Sequence, residues 1–402
     1  MSARHDKVRR AGVARGRRFA VRVAAIAAAA TILSASAADA QTQLFNLDAG
    51  LDPAFCKIPT FRSTVVYVDD MMMRAGESSW AITLADKLRA TLTPGERVAV
   101  VELNPAQGTS RQIWAGCWPE YTAERRKELA GKNYIFTSNP LEAVKKQQQY
   151  FLSDFGIALT DIYDRALKGP AQGAIRASDP ARKQIIEALA SDGARFAQSP
   201  VTIRAIVYSD LAENSDIGSV FASGAPLPDG VGRKLGTYFR HSVFYFFGVG
   251  ADVTGEPGYL EIARKFWISA LASMDGAVDG LGSDLNVPNQ IPINAYHYAV
   301  TLSRGGQQLY GRASILVDSE GNLVDSWIGI SRLTFVGLTG TFQCPPLTGN
   351  GCTLSATTQG ELTTDNPSET IDLSGTDPNA LQGTIGVKGA LTFPLTAKLA
   401  TN

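Results

Sequence analysis

Residues 67–79 read YVDDMMMRAGESS. Asp69 and Asp70 close an apolar run, and three methionines follow them. Carboxylates at a strand end serve metal binding or acid–base chemistry. A thioether is a soft donor and suits neither magnesium nor calcium. A third carboxylate, Asp210, follows the apolar run Thr202–Tyr208 in IVYSDLAENS, and Thr160 opens a helical pattern in IALTDIYDRAL. In an open parallel sheet, ligands bind outside the carboxyl ends of the strands. These groups are therefore candidates for one site. Their chemistry is either divalent-metal-dependent hydrolysis by Asp69, Asp70 and Asp210, or recognition without catalysis. Without a metal, Asp69 caps the segment after it and Asp210 binds loop amides. The methionines then pack, or offer an adaptable contact surface.

Other chemistries lack their signatures. Neither G-x-S-x-G nor G-x-x-x-x-G-K-[ST] occurs, which removes the nucleophile elbow and the phosphate loop. Aspartyl phosphatases space their two acids one residue apart, whereas Asp69 and Asp70 are adjacent. Gly248-Val249-Gly250 follows a strand pattern, but Gly255 comes too late for a dinucleotide fingerprint. Cys56, Cys117, Cys344 and Cys352 form no C-x-x-C, and the histidines beyond residue 40, His241 and His297, lie in different regions. Disulfides suit this set better than zinc.

The elements that must hold these residues are readable. Apolar runs at Ser63–Val68, Arg97–Leu103, Gln112–Ala115, Thr202–Tyr208 and His241–Phe247 predict strands. Helical spacing marks Ser78–Leu92, Pro140–Phe155, Thr160–Lys168, Pro180–Ala197 and Tyr259–Met274. This alternation predicts an α/β domain over 63–284: a doubly wound, mostly parallel, Rossmann-type sheet with helices on both faces. The period then changes. Ala295–Leu302, Leu309–Val317, Leu323–Ile330, Leu333–Phe342 and four shorter runs to Ala397 read as strands. They predict a separate all-β, sandwich-like domain over 290–402.

The order of the α/β pieces resembles the von Willebrand factor type A (vWA) domain. That family has a strand ending in Asp-x-Ser-x-Ser, a Thr before a helix running into Ala-Leu, and an Asp after a later strand. Together these hold a divalent cation for adhesion. Asp69 matches the first Asp, Thr160 the Thr, with Ala166-Leu167 beyond it, and Asp210 the last Asp. YLEIARKFWISAL fits the last helix, and the resemblance covers about residues 63–275. Met71 and Met73 stand where the two serines belong. The resemblance thus implies a degenerate metal-ion-dependent adhesion site. Its implied ligands are Asp69, Thr160 and Asp210. Mg2+ or Ca2+ would need water in place of the hydroxyls, and the expectation is no cofactor. The implied binding surface is the loops carrying Asp69, Asp70, Met71, Met73, Thr160 and Asp210. In the type A pattern the third strand runs antiparallel, which implies a Cys56–Cys117 disulfide. Cys344 and Cys352 bracket the turn sequence PPLTGNG and read as a second.

Residues 1–40 stand apart. Eight basic residues from Arg4 to Arg22, an apolar run Val23–Leu33 and Ala38-Asp39-Ala40 read as a secretory signal peptide. Gln41 is the expected new N-terminus, and residues 41–62 a lead-in. The segment carries 8 basic and 2 acidic residues of the chain's 38 and 38, leaving the remainder at a net −6. That charge disfavours nucleic acid as a partner. No later run predicts a membrane span. The expectation is a periplasmic or secreted, non-enzymatic protein that binds another protein or serves in assembly; a metal-dependent hydrolase is the alternative.

Overall fold

The computed structural model describes residues 51–73, 78–134, 138–169, 175–222, 230–330, 334–344, 351–358, 368–387 and 391–400. The leader, the processing site and Arg74 of the acid loop lie outside them. The first strands are β1 (Arg62–Asp69), β2 (Arg97–Asn104), β3 (Thr109–Cys117), β4 (Ile175–Arg176), β5 (Thr202–Tyr208), β6 (Ser242–Phe247), β7 (Val253–Thr254) and β8 (Ala277–Leu281). Between them lie α1 (Ser79–Thr91), α2 (Ala123–Ala130), α3 (Pro140–Lys168), α4 (Ile185–Ala190), α5 (Gly193–Gln198), α6 (Val231–Leu235) and α7 (Tyr259–Ala272). Then follow β9 (Asn294–Arg304), β10 (Gln307–Val317), β11 (Ser326–Ile330), β12 (Thr334–Gln343), β13 (Cys352–Thr358), β14 (Thr370–Gly375), β15 (Ala380–Gly386) and β16 (Thr392–Leu399).

β4 and β7 pair with each other, and the remaining strands form one 14-stranded sheet. In it β9 to β16 pair antiparallel in chain order, and β16 returns to β9, closing an eight-stranded barrel. The order then runs from β12 through β8, β6, β5, β1, β2 and β3. β1 pairs parallel with β2 and β5, and β3 closes the far edge antiparallel to β2. The expected fold class is corrected accordingly. The chain is mostly β, a closed antiparallel barrel with further strands. It is neither a doubly wound parallel α/β sheet nor one with a sandwich appended.

The physical reason lies in what alternation encodes. Along β13, Leu354 and Ala356 are buried while Thr353 and Ser355 are exposed. That pattern says which face is inside, not whether the last strand meets the first. Eight strands leave an interior that side chains can fill. Here Leu354, Ile371, Leu373, Leu381, Ile385 and Leu395 belong to it. Close pairing also requires glycine: at Gly340, with φ +141°, a Cβ would strike the Ser355 carbonyl across the pair. Outward positions include Asp372, Gln382, Thr396 and Lys398, the reverse of a lipid-facing barrel. No helix among the described residues is long and apolar enough to cross a membrane. β8 escaped the sequence pattern because Ala-Val-Asp-Gly-Leu is short and its Asp-Gly reads as a turn.

The strand cores follow from composition. β1, RSTVVYVD, is buried along its whole length, as a strand covered on both faces must be. Leu84 and Leu88 of α1 and Phe151 and Phe155 of α3 share one apolar cluster with Val66 and Val68. Disulfides join Cys56 to Cys117, with Cα atoms 5.3 Å apart, and Cys344 to Cys352. The first ties the lead-in to the end of β3, and the second joins the end of β12 to β13.

The sheet meets the barrel through buried polar groups. Arg62 makes a two-pronged pair with Glu96, at 3.0 and 2.8 Å, and a second ion pair with Asp325, which precedes β11. Arg204 donates to Thr64 Oγ1 at 2.9 Å and Thr91 Oγ1 at 3.0 Å, and reaches Glu96 at 3.4 Å. Tyr245 Oη lies 2.7 Å from Asp325 Oδ1 and also contacts Asp279. Nearby, Thr202 and Ser314 hydroxyls meet at 2.8 Å, and Ser314 lies 3.1 Å from His297 Nδ1. The His241 ring faces His297 and Trp327 at about 6 Å. Both histidines thus sit at this joint, away from the acid loop.

One group at the joint sets a pH response. Burial pushes the Asp279 carboxyl up to about 7; the Tyr245 hydrogen bond opposes this and the Asp325 charge adds to it. The unfolded value is about 3.9. Between those values the native state holds a proton that the unfolded chain has released, so this contribution falls as pH rises from about 4 to 7. Asp279→Asn removes the titration. In urea unfolding, the stability of the Asn variant relative to wild type should grow by roughly 3–4 kcal/mol from acid to mildly alkaline pH. A difference that does not change with pH would show that Asp279 is ionised throughout.

Candidate functional site

β1 delivers Asp69 to the carboxyl edge of the parallel strands, and β5 delivers Ser209 and Asp210 beside it. After Asp69 the chain turns through Asp70–Met72 in a short 3-10 helix, and the Asp69 carboxylate accepts from Met71 N–H at 3.0 Å. After β5, Ser209 Oγ donates to Asp69 Oδ2 at 2.8 Å, and Asp210 Oδ1 accepts from Ala212 N–H at 2.9 Å. The Asp210 carbonyl is held by Gly250 N–H at 3.0 Å and Tyr259 Oη at 3.2 Å.

A fourth residue completes the site. Lys183 Nζ lies 2.7 Å from Asp69 Oδ2 and 2.8 Å from Asp210 Oδ1, and all three side chains are at most 1% exposed. The segment before α4 carries this lysine over the strand ends. Lys183 and Asn214 exchange both backbone hydrogen bonds, at 3.0 and 2.8 Å. One residue on, Gln184 N–H donates to the Pro105 carbonyl at 2.9 Å. Glu213 then receives Ile185 and Ile186 N–H at 2.8 and 2.9 Å, capping α4. Burial works against the lysine's charge, but the Asp69 and Asp210 carboxylates outweigh it and hold the ammonium well above the usual lysine range.

The surrounding acids respond to burial. Asp69 is raised by burial; Lys183 opposes this and Asp210 adds to it. Asp70 is pushed up to about 7, first by burial and then by the charges of Asp69 and Glu102. Glu213 is pushed up to about 8, mainly by burial.

The structure brings together Asp69, Asp70 and Asp210 of the expected set and corrects the rest. Thr160 does not open a helix. It lies inside the 29-residue α3, exposed, with its hydroxyl donating to the Gly156 carbonyl at 2.9 Å. The apolar stripe Phe155, Ala158, Leu159 and Ile162 runs through that position and keeps one helix continuous. Met71, Met72 and Met73 are buried, and Met72 and Met73 lie in the core with Leu84 and Phe151. They are not a contact surface. Asp69 and Asp210 are likewise interior. Gly248 and Gly250 adopt left-handed φ of +80° and +75° in a tight turn after β6. Lys183 was missed because Pro180–Ala197 reads as a single helix, in which a lysine belongs on the wet face. Nothing local marks it.

A divalent cation at Asp69, Thr160 and Asp210 does not fit these residues. Thr160 is elsewhere, methionines replace the hydroxyls, and a fixed ammonium stands between the two carboxylates. Among the described residues no group of three or more His, Cys, Asp and Glu could hold a metal.

No family model and no curated protein matches the chain. Among solved structures it is similar to the crystal structure of the ArnB paralog VWA2 from Sulfolobus acidocaldarius. The identity is 11%, the TM-score 0.29, and the match covers 79% of this chain and 65% of that one. The chain thus spans less than two thirds of that protein's length. At this TM-score the likeness bears on neither site nor activity.

Proposed function

We propose that the chain is an exported, non-enzymatic protein that binds another protein or serves in assembly, using the loops at the carboxyl ends of β1, β5 and β6 without a metal ion. We read the site as a degenerate type A adhesion site. The observation that carries this is the Asp69–Lys183–Asp210 cluster. Its charged groups are buried and the Lys183 ammonium already occupies the position between the two carboxylates, so no nucleophile is exposed to solvent. Its role is to fix the loops. Recognition then falls to their rim, where Arg176, Arg182, Asp216 and Thr254 are exposed and Arg182 pairs with Asp216 at 2.8 Å. The two disulfides agree with an oxidising compartment outside the cytoplasm.

A photo-cross-linking residue at Arg182, compared with one at Gln382 on the barrel wall, tests this in the exporting cell's envelope. A specific adduct from position 182 and none from 382 supports the reading; the reverse pattern moves recognition to the barrel. The hydrolase alternative has its own test. Phosphoester or ester turnover that requires Mn2+ or Mg2+ and vanishes in Asp69→Asn would replace the binding reading with an enzymatic one.

A further inference from the structure

We propose that the Lys183 ammonium is the resident cation of a site whose other groups, Asp69, Asp210 and Ser209, form a donor set for a divalent metal. The chain has filled its own cation site. Four observations converge on this. Asp69 Oδ2 and Asp210 Oδ1 both lie within 2.8 Å of one point, the lysine nitrogen. Ser209 Oγ sits 2.8 Å from Asp69 Oδ2, so a hard hydroxyl oxygen is already present. Asp210 Oδ2 is buried without a hydrogen-bond partner among the described residues, a further oxygen free to turn toward a cation. Finally, two carboxylates against one ammonium leave one negative charge, which a divalent cation would cancel. Hard oxygens with a few waters are what magnesium or manganese takes.

The consequence concerns regulation. A metal site opens and closes with cation supply, whereas a tethered ammonium does not dissociate. Here the backbone exchange between Lys183 and Asn214 fixes where the ammonium points. The loops are therefore held in one arrangement at all cation concentrations, and any recognition through them is insensitive to chelators. The proposal stands on the cluster's geometry and is read out as stability, so it and the recognition reading can fail independently.

Thermal unfolding tests it. Wild type should give the same midpoint in EDTA and in millimolar Mn2+, Mg2+ or Ca2+. Lys183→Ala should unfold at lower temperature, and Mn2+ should raise its midpoint saturably, by roughly 2 °C at ten times the dissociation constant. Lys183→Met, which removes the charge but keeps the bulk, should fall in midpoint and gain nothing from metal. Adding Asp210→Asn to Lys183→Ala should abolish the rise. A wild-type midpoint that climbs with metal overturns the proposal. So does a Lys183→Ala midpoint indifferent to metal, or a rise that survives Asp210→Asn. If Lys183→Ala does not fold in EDTA, refolding decides. Soluble protein recovered only with Mn2+ supports the proposal, and none recovered in either condition overturns it.

Discussion

Asp325→Ala should lower stability by roughly 3–5 kcal/mol. Asp325 lies on the barrel side of the joint, yet its charge serves the parallel strands. Two guanidinium groups, Arg62 and Arg204, are fully buried there with Glu96 between them. Burial, and then the Arg62 charge, lowers Arg204; burial also acts against Arg62, but the Glu96 and Asp325 carboxylates keep Arg62 charged. Glu96 neutralises one positive charge and Asp325 the other. Removing Asp325 strands a buried positive charge and also takes an acceptor from Tyr245 Oη. Its backbone adds to the cost, because φ is +47° and aspartate tolerates that region better than alanine. Asp325→Asn keeps the size and the backbone tolerance and loses the charge, so it should fall between the two. Urea denaturation measures both. The same network predicts a single unfolding transition for sheet and barrel. Two separated transitions, or a cost below about 1 kcal/mol for the alanine variant, would show that the barrel is not needed to balance the sheet's charge.

What was legible in the sequence follows the range of the interactions involved. β1, β5 and β6 are near-continuous apolar runs, and their ends place Asp69 and Asp210 without further information. The barrel strands alternate and can be counted, but closure is a pairing between β9 and β16, the first and last of the set. No local period carries it. Thr160 was misplaced by a local signal, Thr-Asp at an apparent helix start, when the longer apolar stripe through Ile162 argued for continuity. The methionines were legible as unsuited to a hard cation. The sequence left packing and a contact surface both open for them; the structure selects packing, because α1 and α3 fold back over the loop. Lys183 is the extreme case. Its partners lie at the ends of two strands, Asp69 closing β1 and Asp210 just beyond β5, 27 residues away in sequence, and its own segment reads as a surface helix.

Lys183→Met should also cost roughly 3–5 kcal/mol, and the reason is charge count rather than contact count. The cluster has two carboxylates and one ammonium, all buried. Taking away the ammonium leaves two negative charges close together, with Ser209 Oγ and two backbone N–H groups as their hydrogen-bond donors among the described residues. Methionine keeps the side chain's length and packs well, so lost volume does not explain the loss. Asp210→Asn is the informative contrast. It removes one carboxylate charge but leaves Lys183 balanced by Asp69, and the amide oxygen can still accept from Ala212 N–H. Its cost should be about 1–2 kcal/mol, that of a weakened charge-assisted hydrogen bond. The two substitutions touch the same ion pair, so an account based on the pair alone predicts equal losses. Joining Asp210→Asn to Lys183→Met should then recover part of the stability lost by Lys183→Met, because only one uncompensated carboxylate remains. Equal single losses, or a double variant no better than Lys183→Met alone, would mean that the ammonium is not what holds the two carboxylates inside the protein.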